Sequence, residues 1–300
     1  MREKFEHYRG DLALLLVTLI WGTTFTLTKL ALQEITPMLF LAMRFIIGFI
    51  LLSLFFGKRL LKMDRKVLVA GLVVGGILFF GYSTQTLGMQ DPNTTASKAA
   101  FITGMSVIFT PLLSVVFLRQ KPTFYALLGA LVAFIGLALL SVDFNDVFSS
   151  GISWGDLLVL ACAVAFAGHI VAVGKFTSQV DVGAFTTWQI GVVGLLCTVT
   201  GLATEPLPTN LSPSFWWGLL YMGGVATAGT LMLQNWAQKY ATPTRTAVIF
   251  TMEPVFAGMF AMIFLGETLS RQNMFGAALI LAGLLLAELR PEPELVSTVD

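Results

Sequence analysis

Three ionisable side chains interrupt long apolar segments of this chain, and these are the side chains best placed to do chemistry. Glu253, followed by Pro254, is the only carboxylate deep in such a segment, and Arg44 and His169 lie in two others. Ionisable groups are costly in hydrocarbon, so they face a cavity or a partner. Glu253 could carry a proton or cation for coupling or gating, or be a protonated, hydrogen-bonded residue at a proline kink. Arg44 could pair with Glu253 or helix carbonyls, or contact a substrate carboxylate.

Aromatic and amide side chains in other apolar segments could line a small-molecule site. Helical spacing places Tyr82 and Gln85 on one helix face, and Gln234 on the face of another helix. His169 could belong to the same site or be a packing residue. An aromatic surface with amides and hydroxyls suits a small zwitterion, although each aromatic residue could equally pack against lipid or another helix. The aromatic candidates for such a site are Trp21, Phe25, Phe101 and Trp188.

Enzymatic and metal chemistry find little support in the sequence. The stretch 151–155 has the spelling of a nucleophile elbow, but no strand is expected before it. His7 and His169 are far apart and lack nearby cysteine or carboxylate partners, so no metal site is predicted. Cys162 and Cys197 lie in apolar runs and are expected to be reduced and buried. We therefore expect no catalytic residues and no cofactor.

The elements that must position these residues are membrane-spanning helices. Charged residues make up 12% of the chain, about half of the usual share of roughly 25%, and the net charge of +1 argues against nucleic-acid binding. Apolar runs of about 18 to 24 residues are each long enough to cross a bilayer. The sequence predicts an all-α integral membrane protein with ten transmembrane helices, near 12–32, 37–56, 67–89, 96–118, 124–142, 154–174, 182–202, 215–237, 243–265 and 272–289.

Local sequence signals mark the starts of several predicted helices. A capping hydroxyl precedes a proline at Thr36, Ser212 and Thr242, and proline is favoured at the first helical position. Ser153 and Asp156 form a variant capping box at the start of the sixth span.

The distribution of basic residues predicts the orientation. Fourteen of the 18 Lys and Arg residues fall on the side of the N-terminus, three fall on the opposite side, and Arg44 lies within a span. Because cytoplasmic segments retain basic residues, both termini are predicted to face the cytoplasm.

Comparison of the chain with itself indicates an internal repeat. Gly10-Asp11-Leu12 matches Gly155-Asp156-Leu157 at an offset of 145 residues, and 95–102 matches 242–249 at an offset of 147. This predicts two five-helix halves, 1–143 and 151–290, with a tail at 291–300. Since five is odd, the second half enters the membrane from the opposite side, and such inverted pairs hold a substrate site near the midplane.

Four sequence motifs resemble the EamA family of the drug/metabolite transporter superfamily. They are Trp21-Gly22-Thr23-Thr24-Phe25, Arg44-Phe45, Glu253-Pro254, and Phe264-Leu-Gly-Glu267 before a glycine-rich last span. The first half departs from the last motif, with Leu118-Arg119-Gln120-Lys121 at the corresponding place.

Within this family the chain is most similar to YddG-type exporters. The resemblance implies a multi-pass protein of the cell (inner) membrane that exports amino acids or related metabolites. We expect a secondary or a facilitative transporter that works by alternating access, with a monomer as the expected assembly. A drug or other-metabolite exporter of the same fold, a passive channel and a membrane-embedded enzyme remain alternatives.

Overall fold

The computed structural model describes residues 2–141, 152–265 and 270–289, and these ranges are helical without any strand. The predicted boundary at 143–151, the tail at 291–300 and residues 266–269, including Glu267, lie outside the described residues. The first half contains α1 to α7: Arg2–Trp21, Thr24–Ala31, Pro37–Leu60, Arg65–Gly88, Ala96–Gly104, Ser106–Leu118 and Phe124–Ser141. The second half contains α8 to α14: Trp154–Phe176, Val182–Thr204, Pro213–Gly223, Thr230–Ala237, Pro243–Phe250, Glu253–Leu265 and Arg271–Glu288.

Six helices in the described ranges are long and apolar enough to cross a membrane. They are Tyr8–Ala31, Pro37–Leu60, Arg65–Gly88, Lys98–Leu118, Trp154–Phe176 and Val182–Thr204, and shorter apolar helices occupy Phe124–Leu140 and Arg271–Ala287. The all-α membrane class is therefore confirmed. The eighth and ninth predicted spans are not among these helices, so the predicted number of ten is not confirmed.

Four predicted spans contain an interruption. The first span breaks at Gly22-Thr23 and the fourth at Met105, while the eighth passes through a π-helical segment, Gly224–Gly229, and the ninth breaks at 251–252. Glycine permits close packing at the first break, because a Cβ atom at Gly22 would lie 3.1 Å from the backbone oxygen of Glu253. Pro254 is the second residue of α13, where its missing N–H breaks no intrahelical bond.

Three of the four predicted caps form as expected. The side chains of Ser153, Ser212 and Thr242 each accept a hydrogen bond from the backbone N–H three residues later. Asp156 completes a capping box with Ser153. These bonds join residues that are adjacent in the chain, which is why the sequence alone could predict them.

Thr36 precedes Pro37 at the start of α3 as predicted, but the capping hydrogen bond expected from its hydroxyl is absent. The carboxylate of Glu205 instead accepts the N–H groups of Met38 and Leu39 at 3.0 Å each. In return, Glu34 accepts hydrogen bonds from the backbone and hydroxyl of Ser212 at 2.7 and 2.8 Å. A carboxylate oxygen suits the partial positive charge of a helix start, so each half caps a helix of the other.

Glycines allow helices of the two halves to pack closely in antiparallel pairs. A Cβ atom at Gly129 would lie 2.6 Å from the oxygen of Gly283, and one at Gly136 would lie 2.6 Å from the oxygen of Gly276. These contacts run in opposite chain directions along α7 and α14. The helix α4 packs in the same way on α8, and α3 packs on α9.

Candidate solute-binding cavity

A cavity of about 730 Å³, including the part open to solvent, lies where the interrupted helices meet. The lining residues come from the first, third and fourth predicted spans and from the sixth, eighth and ninth. They are Trp21, Thr24, Phe25, Leu78, Tyr82, Gln85, Ala100, Thr103, Gly104, Ser106, Phe166, His169, Ile170, Leu231, Gln234, Ala247, Phe250, Thr251, Glu253 and Pro254.

The structure brings most of the predicted site residues to this cavity. Of the ten side chains singled out from the sequence, seven are among the lining residues: Trp21, Phe25, Tyr82, Gln85, His169, Gln234 and Glu253. Arg44, Phe101 and Trp188 are not among them.

Trp21 closes part of the wall with its hydrogen-bonding capacity already used. Its indole N–H lies 3.1 Å from the oxygen of Ala226 and 3.0 Å from the hydroxyl of Thr230. Its ring meets that of Phe250 edge to face, with centroids 5.2 Å apart. Trp21 therefore offers a solute an aromatic surface rather than a free donor.

Tyr82 separates the cavity from the buried Arg44. The Tyr82 ring contacts Phe45 and Phe166 edge to face, with centroids 5.0 and 5.2 Å apart. The guanidinium carbon of Arg44 lies 5.0 Å from the centroid of the Tyr82 ring. Arg44 is thus behind an aromatic layer rather than in the lining.

The hydrogen bonds of Arg44 go to a neighbouring helix. Its Nε donates to the hydroxyl of Thr227 at 2.7 Å, and its Nη2 donates to the carbonyl of Ala226 at 3.3 Å. Of the partners considered for Arg44 from the sequence, the structure therefore contains the helix carbonyl and has no ion pair with Glu253 among the described residues.

A chain of amides fixes the orientation of Gln234. Gln238 Nε2 donates to the carbonyl of Ile170 at 2.9 Å, and Gln234 Nε2 donates to Gln238 Oε1 at 3.0 Å. A carbonyl can only accept, so Gln238 must present its oxygen to Gln234. Gln234 Oε1 is consequently left buried without a partner, as is His169 Nε2.

Glu253 is the only Asp, Glu, Lys or Arg among the described lining residues. Within the described part of the chain its carboxyl group has no hydrogen bond or ion pair. The interpretation of Glu253 as a hydrogen-bonded kink residue therefore has no partner there to support it.

Two predicted aromatic residues pack elsewhere. Phe101 lies nearly parallel to Phe134, with ring centroids 6.2 Å apart. Trp188 donates from its indole to the oxygen of Leu68 at 3.1 Å and covers Gly71. The absence of a side chain at Gly71 makes room for this indole, so Trp188 packs at the contact between α4 and α9.

Several lining residues were missed from the sequence, and the repeat could have revealed them. At the offset of 147 residues, the lining residues 100, 103, 104 and 106 correspond to 247, 250, 251 and 253, which also line the cavity. At 145 residues, 21, 24 and 25 correspond to 166, 169 and 170, again all in the lining. Ser106 could thus have been found as the counterpart of Glu253.

Comparison with known proteins agrees with this architecture. The EamA-like transporter family matches residues 8–142 and again residues 153–289. An uncharacterized transporter of Archaeoglobus fulgidus is 34% identical over 288 residues, covering 96% of this chain and 88% of the relative. The uncharacterized transporter YoaV of Bacillus subtilis is 24% identical over 285 residues, covering 92% and 95%. A solved crystal structure with 19% identity superimposes with a TM-score of 0.79 over 93% of this chain and 96% of the other.

The chain belongs to the EamA-like transporter family, which confirms the family resemblance drawn from the sequence motifs. It is accordingly a multi-pass membrane protein of a family of transporters, with a small-molecule substrate and the lipid bilayer as its partners. The relatives named here are uncharacterized transporters, so amino-acid export belongs to the proposal below.

Proposed function

We propose that this protein is a ten-span secondary transporter that exports small organic solutes, neutral or aromatic amino acids among them, from the cytoplasm by alternating access. The cavity walled by interrupted helices carries the proposal. Discontinuous helices around a midplane site are typical of transporters built from inverted repeats, because the broken backbone can hinge and its polar groups can face a solute. Both termini are proposed to be cytoplasmic and the membrane to be the cell (inner) membrane.

Pairs of equivalent contacts support the inverted arrangement of the two halves. Lys98 forms an ion pair with Asp156 at 2.5 Å, and their counterparts in the repeat, Arg245 and Asp11, also form an ion pair. Each pair joins the start of an interrupted span, the fourth or the ninth, to the start of a span from the other half. Such equivalence suits two halves that rock about a common cavity.

The cavity lining supports a solute with an apolar body and a few polar groups. Five aromatic rings line it, together with the amides of Gln85 and Gln234. In this proposal these side chains bind the solute, and Glu253 serves as the coupling group that takes up and releases a proton during the cycle. Arg44 supports the wall through Tyr82.

Transport by purified protein in liposomes tests this function. Labelled neutral and aromatic amino acids are offered with and without a pH gradient, and exchange against unlabelled solute is measured in parallel. A carrier shows accelerated exchange, whereas a passive channel does not. Absence of transport for the whole panel, or uptake without exchange, would contradict the proposal.

The coupling role of Glu253 predicts the behaviour of one variant. At saturating solute, Glu253→Gln should still exchange solute but lose stimulation by the pH gradient, because the amide cannot exchange a proton. Asp64→Asn is the matched control, since it removes an exposed carboxylate while asparagine still caps α4. Normal gradient-driven transport by a folded Glu253→Gln protein would remove Glu253 from the coupling step.

A further inference from the structure

The cavity is unbalanced in both charge and hydrogen bonding. Glu253 is its one carboxylate, and no lysine or arginine is found among the described lining residues. The repeat makes Ser106 the counterpart of Glu253, so the carboxyl group belongs to one half only. A solute in this cavity therefore meets different side chains at equivalent positions of the two halves.

Several hydrogen-bond donors around the cavity are already engaged within the protein. The indole of Trp21 donates to the eighth span, and the hydroxyls of Thr24 and Thr251 donate to carbonyls of their own spans at 2.9 and 2.6 Å. Gln85 Nε2 donates to Thr103 at 3.1 Å. These donors are not available to a solute.

The cavity also presents hydrogen-bond acceptors to a solute. The oxygen of Gln234 is buried and unpartnered, and the amide chain through Gln238 requires that this free atom be the oxygen. Gln234 is only 1% exposed, so leaving its oxygen unpaired is costly unless a ligand supplies a donor. The carboxylate of Glu253 adds two more acceptor atoms.

We infer that the cavity recognises a primary amine, with the ammonium group held by Glu253 and Gln234 and the apolar body held by the aromatic rings, and that a carboxylate on the solute is dispensable. An ammonium group offers three donors and a positive charge, which match these acceptors and the faces of the rings. A solute carboxylate would find no lysine or arginine among the described lining residues, since Arg44 lies behind Tyr82. This inference rests on the proposed function and narrows its solute class.

Three probes with the same phenyl group test the inference on the unaltered protein. Binding of phenethylamine, L-phenylalanine and 3-phenylpropionate is measured by calorimetry with the purified protein in detergent. We expect phenethylamine to bind at least as tightly as phenylalanine, and phenylpropionate to bind at least tenfold more weakly. Tenfold tighter binding of phenylalanine than of phenethylamine would overturn the inference. Equal binding of phenylpropionate, or no binding of phenethylamine, would also overturn it.

Variants test whether Glu253 and Gln234 hold the ammonium group. Glu253→Gln should weaken phenethylamine binding by roughly 10- to 100-fold, because a charged hydrogen bond is lost, and Asp64→Asn should leave it unchanged. Gln234→Leu should weaken it by about tenfold and should not strengthen the binding of phenylpropionate. Unchanged phenethylamine affinity in folded Glu253→Gln protein would overturn the inference.

Transport in liposomes is measured separately, so that failure of the inference and failure of the proposed function remain distinct. Phenethylamine that binds without being moved would contradict the transport proposal and leave the amine site standing. Transport of phenylalanine without any binding of phenethylamine would contradict the amine site and leave the transport proposal standing.

Discussion

Replacing Gly136 by alanine tests the contact that joins the last helices of the two halves. The new Cβ atom would lie 2.6 Å from the oxygen of Gly276 and 2.7 Å from the nitrogen of Ile280, whereas ordinary contact begins at 3.4 Å. Both neighbours are backbone atoms of a helix and cannot rotate away. The helices α7 and α14 must therefore separate by about 0.8 Å, the difference between 3.4 and 2.6 Å.

Two opposing terms set the size of the effect. Overpacking of this kind costs about 1–3 kcal/mol. Alanine in a helix gains about 0.5–1 kcal/mol over glycine through lower backbone entropy in the unfolded chain. Subtracting the gain from the cost gives an expected net destabilisation of about 0–2.5 kcal/mol for Gly136→Ala.

A second glycine supplies the matched control. A Cβ atom at Gly76 would meet nothing within 4 Å, so Gly76→Ala retains only the gain of about 0.5–1 kcal/mol. Because both variants share the gain of alanine over glycine, the difference between their free energies of unfolding reports the helix contact alone, about 1–3 kcal/mol. Unfolding is followed by circular dichroism in mixed detergent micelles of increasing sodium dodecyl sulfate content.

The double variant sharpens the test. Gly276 faces Gly136 across the same contact, with its own Cβ position 2.6 Å from the oxygen of Gly136. Once one alanine has separated the helices, the second costs less, so the combined loss should be smaller than the sum of the single losses. Equal stability of Gly136→Ala and Gly76→Ala, or full additivity of the pair, would refute this account of the packing.

Three further predictions concern the cavity, the orientation and a loop. Gln85→Ala should weaken solute binding by about tenfold in calorimetry, since a neutral hydrogen bond contributes about 0.5–1.5 kcal/mol. The same variant should lower stability less than Gly136→Ala does. Unchanged affinity would make Gln85 a packing residue. Single cysteines are introduced at the exposed positions Lys62 and Asn93 in a protein whose Cys162 and Cys197 have been replaced. They should react with an impermeant thiol reagent from opposite sides of the membrane, with Asn93 reached from outside intact cells. Equal reaction of both from outside would exclude the proposed orientation. The N–H groups of Asn93 and Gly155 lower the pKa of the Asp91 carboxyl below its ordinary 3.8, so the stabilising effect of its ionised form should be present at neutral pH and disappear as the pH falls below about 4. The difference in melting temperature between the unaltered protein and Asp91→Asn should shrink over that range. A constant difference would contradict this role of the Asp91 carboxylate.

The sequence by itself determined the features that depend on neighbouring residues or on composition. Apolar runs long enough to cross a bilayer predicted the helices, and serine or threonine before a proline predicted the caps at Ser212 and Thr242. The repeat and its motifs predicted the family, and helical spacing brought Tyr82 and Gln85 to one face. These signals can be read from the sequence because they do not depend on how the helices pack.

Only the tertiary structure decided which distant groups meet. In place of Thr36, Glu205 caps the N–H of Met38 across a separation of 167 residues. Trp21 bonds to Ala226 across 205 residues. Trp188 packs at the contact of α4 and α9 because Gly71 leaves room for its ring. Such contacts depend on the approach of whole helices.

The breaks in the spans and the free groups of the cavity belong to the same category. The break at Met105 follows Gly104 and has no proline comparable to Pro254, and the repeat relates the two positions. The oxygen of Gln234 is an unpaired acceptor only because Gln238 bonds to Ile170 on another helix. A side chain's type is written in the sequence, but its remaining hydrogen-bonding capacity depends on the partners that packing has already given it.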